Sequence, residues 1–100
     1  MPKHKFRITV ESVADGTQNP VNAPALVFTA ENHDDIIALV ARTGATDDKA
    51  RAFLVGLKLF GEAMLQDRDN PLYAEILPQF GAFMKKLKAQ RHASANAGPA

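Results

Sequence analysis

At 100 residues, the chain is long enough for one domain with one hydrophobic core and too short for two separate ones. Apolar residues make up 46% and charged residues 23%, which is ordinary globular usage and argues against wholesale disorder. The net charge is +1, cysteine is absent, and no stretch reaches the ~18 to 20 apolar residues of a membrane span. We therefore expect no disulfide, no Cys-based metal site and no membrane association, and a cytoplasmic location, which the lack of cysteine permits.

Two strands are predicted in the first third of the chain. Phe6, Ile8 and Val10 alternate with polar residues, which is the pattern of a strand with one buried face. Turn-forming residues occupy positions 14–24, and a second alternating run follows at 26–31. Two neighbouring strands joined by such a loop predict an antiparallel β-hairpin.

Two helices are predicted next. Asn32 is the expected N-cap of the first, with aspartates in its first turn, and Gly44 suits the position just beyond its end. Thr46 is the expected N-cap of the second, which runs to about Gln66.

The second predicted helix is apolar on most of its sides, as is typical of a central helix. We expect Lys58 and Glu62, four residues apart, to lie on its narrow solvent-exposed strip. The side chains expected to be almost wholly buried are Phe53, Leu57, Phe60 and Met64.

The last helical region begins with a clear signal. Asn70 suits the N-cap and Pro71 the first helical position. Residues 72–77 predict a short helical turn. Because proline disrupts a helix interior, the last helix is predicted to begin at Pro78 and to continue to about Arg91.

These elements predict an α+β fold in which an N-terminal antiparallel β-hairpin packs on three to four helices, in the order β-β-α-α-α. Residues 1–91 are predicted to form a single domain. Residues 92–100 have no apolar periodicity and are predicted to be a disordered tail.

Several segments together resemble a small bacterial family of about 100-residue α+β proteins. The segments that carry the resemblance are 7–11, 30–35, 56–62 (Gly-Leu-Lys-Leu-Phe-Gly-Glu), 70–72 (Asn-Pro-Leu) and 80–88. The resemblance covers residues 4–88 and implies a compact α+β fold and a bacterial source. The family is itself a domain of unknown function, so the resemblance implies no activity, cofactor or catalytic residue.

The most concentrated polar cluster spans Glu31–Asp35, where the second strand meets the first helix. A histidine beside carboxylates is able to bind a divalent metal ion or act as a general base, which makes His33, Asp34 and Asp35 candidate ligands. Consecutive residues at a helix start point in different directions, however, and capping accounts for every residue except His33. A small-molecule or metal site near His33 is retained as an alternative.

Sequence motifs for enzymes are lacking. The chain contains no Gly-rich phosphate loop, no Gly-x-Ser-x-Gly and no His-Glu-x-x-His motif. We therefore expect no cofactor and no catalytic residue, and a protein that is not an enzyme.

The middle of the chain is acidic, and basic residues concentrate at its two ends. The basic residues at the ends are Lys3, Lys5, Arg7, Lys85, Lys86, Lys88 and Arg91. If the ends lie together, they form a patch able to bind a polyanion, since phosphate binding requires little more than such charge. Exposed aromatic residues that would stack on bases are not predicted, which argues against nucleic acid as the partner.

The leading interpretation is a non-enzymatic interaction module that self-associates as a homodimer, with an unidentified protein as a further partner. A two-stranded sheet leaves two open edges, and Val27 lies on the face opposite Leu26 and Phe28. Polyanion binding through the basic termini is the alternative. The rival to the dimer is a monomer whose loop over residues 14–24 folds back over the apolar face.

Overall fold

The structure is a computed structural model that describes residues 3–97, with side chains described for residues 3–90. Its elements in chain order are β1 (His4–Val10), β2 (Leu26–Asn32), α1 (Ile36–Thr43), α2 (Asp48–Leu65) and α3 (Pro71–Ala97). A two-stranded antiparallel sheet followed by three helices confirms the predicted α+β order β-β-α-α-α. None of the described helices combines the length and hydrophobicity that a membrane span requires.

The strands pair antiparallel with their apolar faces matched, as their alternation predicts. Phe6 lies opposite Ala30, Ile8 opposite Phe28 and Val10 opposite Leu26, so these six residues share one face of the sheet, termed here the hairpin apolar face. The predicted burial of this face is only partly correct. Phe6, Ile8 and Ala30 are half-buried, whereas Val10, Leu26 and Phe28 are exposed.

The hairpin loop is organised by one aspartate. Asp15 Oδ1 accepts hydrogen bonds from the backbone N–H groups of Thr17 (2.9 Å) and Asn19 (3.0 Å) and from Thr17 Oγ1 (2.7 Å). These bonds, first among them that from the Thr17 hydroxyl, hold the pKa of Asp15 below its usual value. Gln18 adopts a left-handed conformation (φ 69°), and a bridge between Ala14 and Pro20 closes the loop.

The helix caps differ from the predicted ones by one to three residues. Asp35, not Asn32, caps α1, because its Oδ1 accepts a hydrogen bond from Ala38 N (3.3 Å). Asp47, not Thr46, caps α2 by accepting from Ala50 N (2.7 Å). Gly44 ends α1 as predicted. It is left-handed at φ 70°, a conformation that glycine adopts without steric cost, and its N–H donates to Ala41 O.

The C-terminal helical region is one helix rather than two. Asn70 and Pro71 begin α3 as predicted, with Asn70 Oδ1 accepting from Leu72 N (3.0 Å). The predicted start of a new helix at Pro78 is wrong, since α3 continues through it. A proline removes one backbone hydrogen bond and strains the preceding turn, but a helix of 27 residues retains many others.

Helix α3 also passes the predicted domain boundary at residue 91 and reaches Ala97. Residues 98–100 of the predicted tail lie outside the described residues. Disorder of residues 92–100 in solution stays a prediction.

The chain divides into two compact units, Met1–Glu62 and Ala63–Ala100. The predicted single domain over 1–91 stays a prediction. Among the described residues, the buried large apolar side chains are Ile36 and Leu54 in the first unit and Met64 in the second. Burial of Met64 is confirmed.

The prediction for the other three core candidates fails to different degrees. Leu57 is half-buried, and Phe53 and Phe60 are exposed. Helical periodicity predicted the spacing of the apolar residues on α2 correctly, but it did not predict which of them is covered.

Candidate functional site

Polar residues at the end of β2 meet α2 within the first unit. We term Asn32, His33, Asp34, Lys58 and Glu62 the junction cluster. Asn32 is the last residue of β2 and is only 3% exposed. Its Nδ2 donates to the Lys58 carbonyl (2.9 Å), and its Oδ1 accepts from Asp34 N (3.0 Å). A side chain expected to cap α1 therefore connects β2 to α2.

Glu62 is the most buried carboxylate of the cluster, at 6% exposure. Its Oε1 accepts two hydrogen bonds from one residue, from the His33 backbone N–H (2.8 Å) and from His33 Nδ1 (2.6 Å). An ionised carboxylate can only accept, so the hydrogen lies on Nδ1 of the ring. These two hydrogen bonds fix the orientation of the His33 ring. Nε2 is the second ring nitrogen, and the His33 side chain is 57% exposed.

The second oxygen of Glu62 has a different environment. Oε2 is buried and accepts no hydrogen bond from the described residues, and it lies 4.0 Å from Lys3 Nζ, within ion-pair distance. Burial alone raises the pKa of Glu62. The hydrogen bonds from His33, together with the positive charges of His33 and Lys3, outweigh it and hold the pKa below its usual value. Glu62 is therefore ionised at neutral pH.

The cluster is completed by an ion pair on the neighbouring turn of α2. Lys58 Nζ donates to Asp34 Oδ2. Lys58 and Glu62 thus contact successive residues of the β2–α1 connection from positions one helical turn apart. The predicted solvent-exposed strip of α2 is wrong for Glu62, which is buried, and for Lys58, whose side chain is only 20% exposed.

The three candidate metal ligands do not converge. His33 contacts Glu62, Asp34 pairs with Lys58, and Asp35 caps α1. No group of three or more His, Cys, Asp or Glu side chains within the described part of the chain is arranged to hold a metal ion. Chemically, the arrangement fixes the orientation of one imidazole and connects the strand end to the helix.

The basic candidates belong to separate parts of the chain. Lys3 is engaged with Glu62, whereas Lys5 and Arg7 are exposed on β1 opposite Glu31 and Thr29. The α3 lysines, which are Lys85, Lys86 and Lys88, are exposed and belong to the second unit. Arg91 lies outside the described side chains. A joint polyanion surface stays a prediction.

Several large apolar side chains of the hairpin are exposed, as are others on the helices. Leu26 is 61% exposed and Phe28 42% exposed on the hairpin apolar face, beside exposed Val10, and Val27 is exposed on the opposite face. The loop does not cover this surface, because Val10, Leu26 and Phe28 stay exposed. This observation counts against the rival account in which the loop folds over the face.

Sequence reasoning missed Glu62 and Lys58 as members of a site and assigned Lys3 to a basic patch instead. One signal was available, since a charged pair four residues apart within an otherwise apolar helix is consistent with buried polar contacts as well as with solvent exposure. The partner residues could not be identified, because they lie 24 to 29 positions away in the sequence.

The fold and the junction cluster define a small α+β protein. The chain belongs to the family DUF3861, a domain of unknown function with solved structure, whose model matches residues 4–89. The resemblance predicted over residues 4–88 is thereby confirmed.

A solved structure supports the same fold. It is the crystal structure of a protein of unknown function from Pectobacterium atrosepticum, which is 38% identical and matches with a TM-score of 0.73. The match covers 88% of this chain and 99% of that chain. No curated protein matches the chain.

Proposed function

We propose that this protein is a non-enzymatic interaction module that self-associates through its β-hairpin. The observation that carries the proposal is the exposure of Val10, Leu26 and Phe28, which lie side by side on the hairpin apolar face. Contiguous exposed apolar residues on a small protein are typical of interaction surfaces, because burying them against a partner is favourable.

A second copy of the chain is the partner that the hairpin fits. The sheet has only two strands among the described residues, so each strand has one edge without a strand partner. Such edges pair readily with other strands. In a two-fold symmetric dimer, the same surface contacts itself, and no second protein is required.

Sedimentation velocity over concentrations from about 1 to about 500 µM, which spans the dissociation constants of weak dimers, tests the proposal. We expect a reversible shift from monomer to dimer as concentration rises. A single species at the 10.8 kDa chain mass over the whole range would refute self-association.

A matched pair of variants identifies the surface. Phe28→Lys places a charge on the hairpin apolar face and is expected to weaken dimerisation at least about tenfold, because the charge must be desolvated on association. Val13→Lys introduces the same charge at an exposed apolar residue outside both strands and is expected to leave dimerisation unchanged. Equal effects of the two variants would exclude the hairpin apolar face as the interface.

A further inference from the structure

We propose that the β2 edge forms the contact between two copies, with the β2 strands antiparallel about a two-fold axis at Thr29. This inference rests on the proposed self-association and specifies its geometry. The result is one continuous four-stranded sheet in which the two β2 strands are central and the two β1 strands form the outer edges.

Apolar exposure favours β2 over β1. Three consecutive apolar residues of β2, Leu26, Val27 and Phe28, are exposed, so both faces of its sheet edge carry apolar surface. On β1, Val10 at the strand end is the corresponding large exposed residue. Pairing at β2 therefore removes more apolar area from water, which is the main favourable contribution to association.

Charge favours the same edge. Lys5 and Arg7 lie on β1, Lys3 directly precedes it, and no acidic residue lies between positions 3 and 10. Two β1 strands placed side by side would bring these like charges together, which is destabilising in paired strands. β2 carries one charged residue, Glu31.

Burial and charge also limit the register, and an axis at Thr29 satisfies both. Asn32 is enclosed at the end of β2, so the stretch open to pairing ends at Glu31. A two-fold axis at Thr29 aligns residues 27–31 with the same residues of the other copy. It places Val27 opposite the partner's Glu31 and Phe28 opposite the partner's Ala30. The two glutamates are thereby kept apart, and the apolar residues of the two copies are neighbours on one face.

Single-cysteine variants test this geometry, since the natural chain has no cysteine and any disulfide must join two copies. Residues directly opposite in antiparallel strands have Cα atoms about 4.5 to 5.5 Å apart, within the range that a disulfide spans. Under mild oxidation, Thr29→Cys is therefore expected to give a covalent dimer. Arg7→Cys tests whether the β1 edges meet instead. Val27→Cys gives the rate of disulfide formation by random collision, because the Val27 residues of the two copies are not opposite each other in this register.

The outcomes separate this inference from the proposed function. Rapid cross-linking of Thr29→Cys only, together with a concentration-dependent dimer, supports both. A dimer in which Arg7→Cys cross-links instead, or in which Thr29→Cys reacts no faster than Val27→Cys, overturns the β2 geometry and leaves self-association standing. A monomer at every concentration overturns both.

Introducing a charge at the axis provides an independent readout. Thr29→Glu faces Arg7 within its own hairpin, places two glutamates across the axis and is expected to raise the dissociation constant at least about tenfold, with partial recovery when added salt screens the repulsion. Thr9→Glu is the matched control, because Thr9 is an exposed threonine on β1, opposite Val27 within the hairpin. An equal loss of dimerisation in Thr9→Glu would overturn the assignment to β2.

Discussion

Replacing Glu62 by glutamine tests whether the junction cluster stabilises the fold. The substitution keeps the size of the side chain and removes its charge. Glu62 Oε1 accepts hydrogen bonds from both the backbone N–H and the Nδ1 of His33, so one change alters two contacts between α2 and the end of β2. An amide oxygen can still accept both bonds, but as a neutral acceptor.

The magnitude follows from the difference between charged and neutral acceptors. A hydrogen bond to a charged group contributes about 1.5 to 3 kcal/mol, and one between neutral groups about 0.5 to 1.5 kcal/mol. Making the acceptor neutral in both bonds therefore lowers the free energy of unfolding by about 2 to 3 kcal/mol. The lower desolvation cost of a neutral side chain offsets part of this, and we expect a net loss of about 2 kcal/mol. In a domain of this size, that corresponds to a decrease in melting temperature of roughly 8 to 16 °C.

The assay is urea denaturation of wild type and variant, followed by far-UV circular dichroism over a range of pH. The pKa of Glu62 in the folded protein lies below its usual value. A lowered folded-state pKa gives stabilisation that is fully present above the unfolded-state value of about 4.3 and is lost as the pH falls through the lower folded value. The difference between wild type and Glu62→Gln should therefore be greatest at neutral pH and should shrink on acidification below about pH 4.

Glu75→Gln is the matched control, because Glu75 is an exposed glutamate on α3. It should change the free energy of unfolding by less than about 0.5 kcal/mol. If Glu62→Gln and Glu75→Gln have equal stability at neutral pH, the contacts of Glu62 with His33 do not stabilise the protein and the reasoning above is wrong.

Three further predictions concern stability, each measured as the free energy of unfolding in urea. Met64→Ala should cost about 2 to 5 kcal/mol because Met64 is fully buried. Phe60→Ala should cost clearly less because Phe60 is 48% exposed. Equal costs of the two variants would contradict the burial pattern. Asn32→Ala should cost about 1 to 3 kcal/mol, since it removes the two hydrogen bonds of the buried Asn32 side chain, to the Lys58 carbonyl and from Asp34 N, and a change below about 0.5 kcal/mol would show that water replaces the amide. Gly44→Ala should cost about 1 to 2 kcal/mol because its φ is 70°, and a stabilised variant would count against the left-handed helix end.

The hairpin was predictable from sequence because a period of two specifies both strand faces at once. Phe6, Ile8 and Val10 share a face with the alternating apolar residues of β2, as the pattern predicts. The end of α1 was equally predictable, since Gly44 is suited to a left-handed position that most residues avoid.

The helix starts were harder to predict because several suitable caps stand together. Asn32, Asp34 and Asp35 are all good N-cap residues, and sequence alone does not show where β2 ends. The choice is made by a distant group. The Lys58 carbonyl accepts from the Asn32 side chain, which keeps Asn32 in the strand and leaves the cap of α1 to Asp35.

The junction cluster was not predictable for a related reason. Charged residues on a helix are usually exposed, and for this reason Lys58 and Glu62 were predicted to be solvent-exposed. Tertiary contacts with residues 33 and 34 override it, and their contribution depends on long-range pairing that a one-dimensional pattern does not contain.

The hairpin loop has a consequence for the order in which the chain folds. Closing a flexible loop has an entropic cost that grows with its length. Asp15 reduces that cost locally, because its bonds to Thr17 and Asn19 form a turn from residues adjacent in the chain. The bridge between Ala14 and Pro20 then brings the two strands into line. We therefore expect the hairpin to nucleate by itself, before α2 reaches the strand end, so that the open β2 edge exists from the earliest stage of folding.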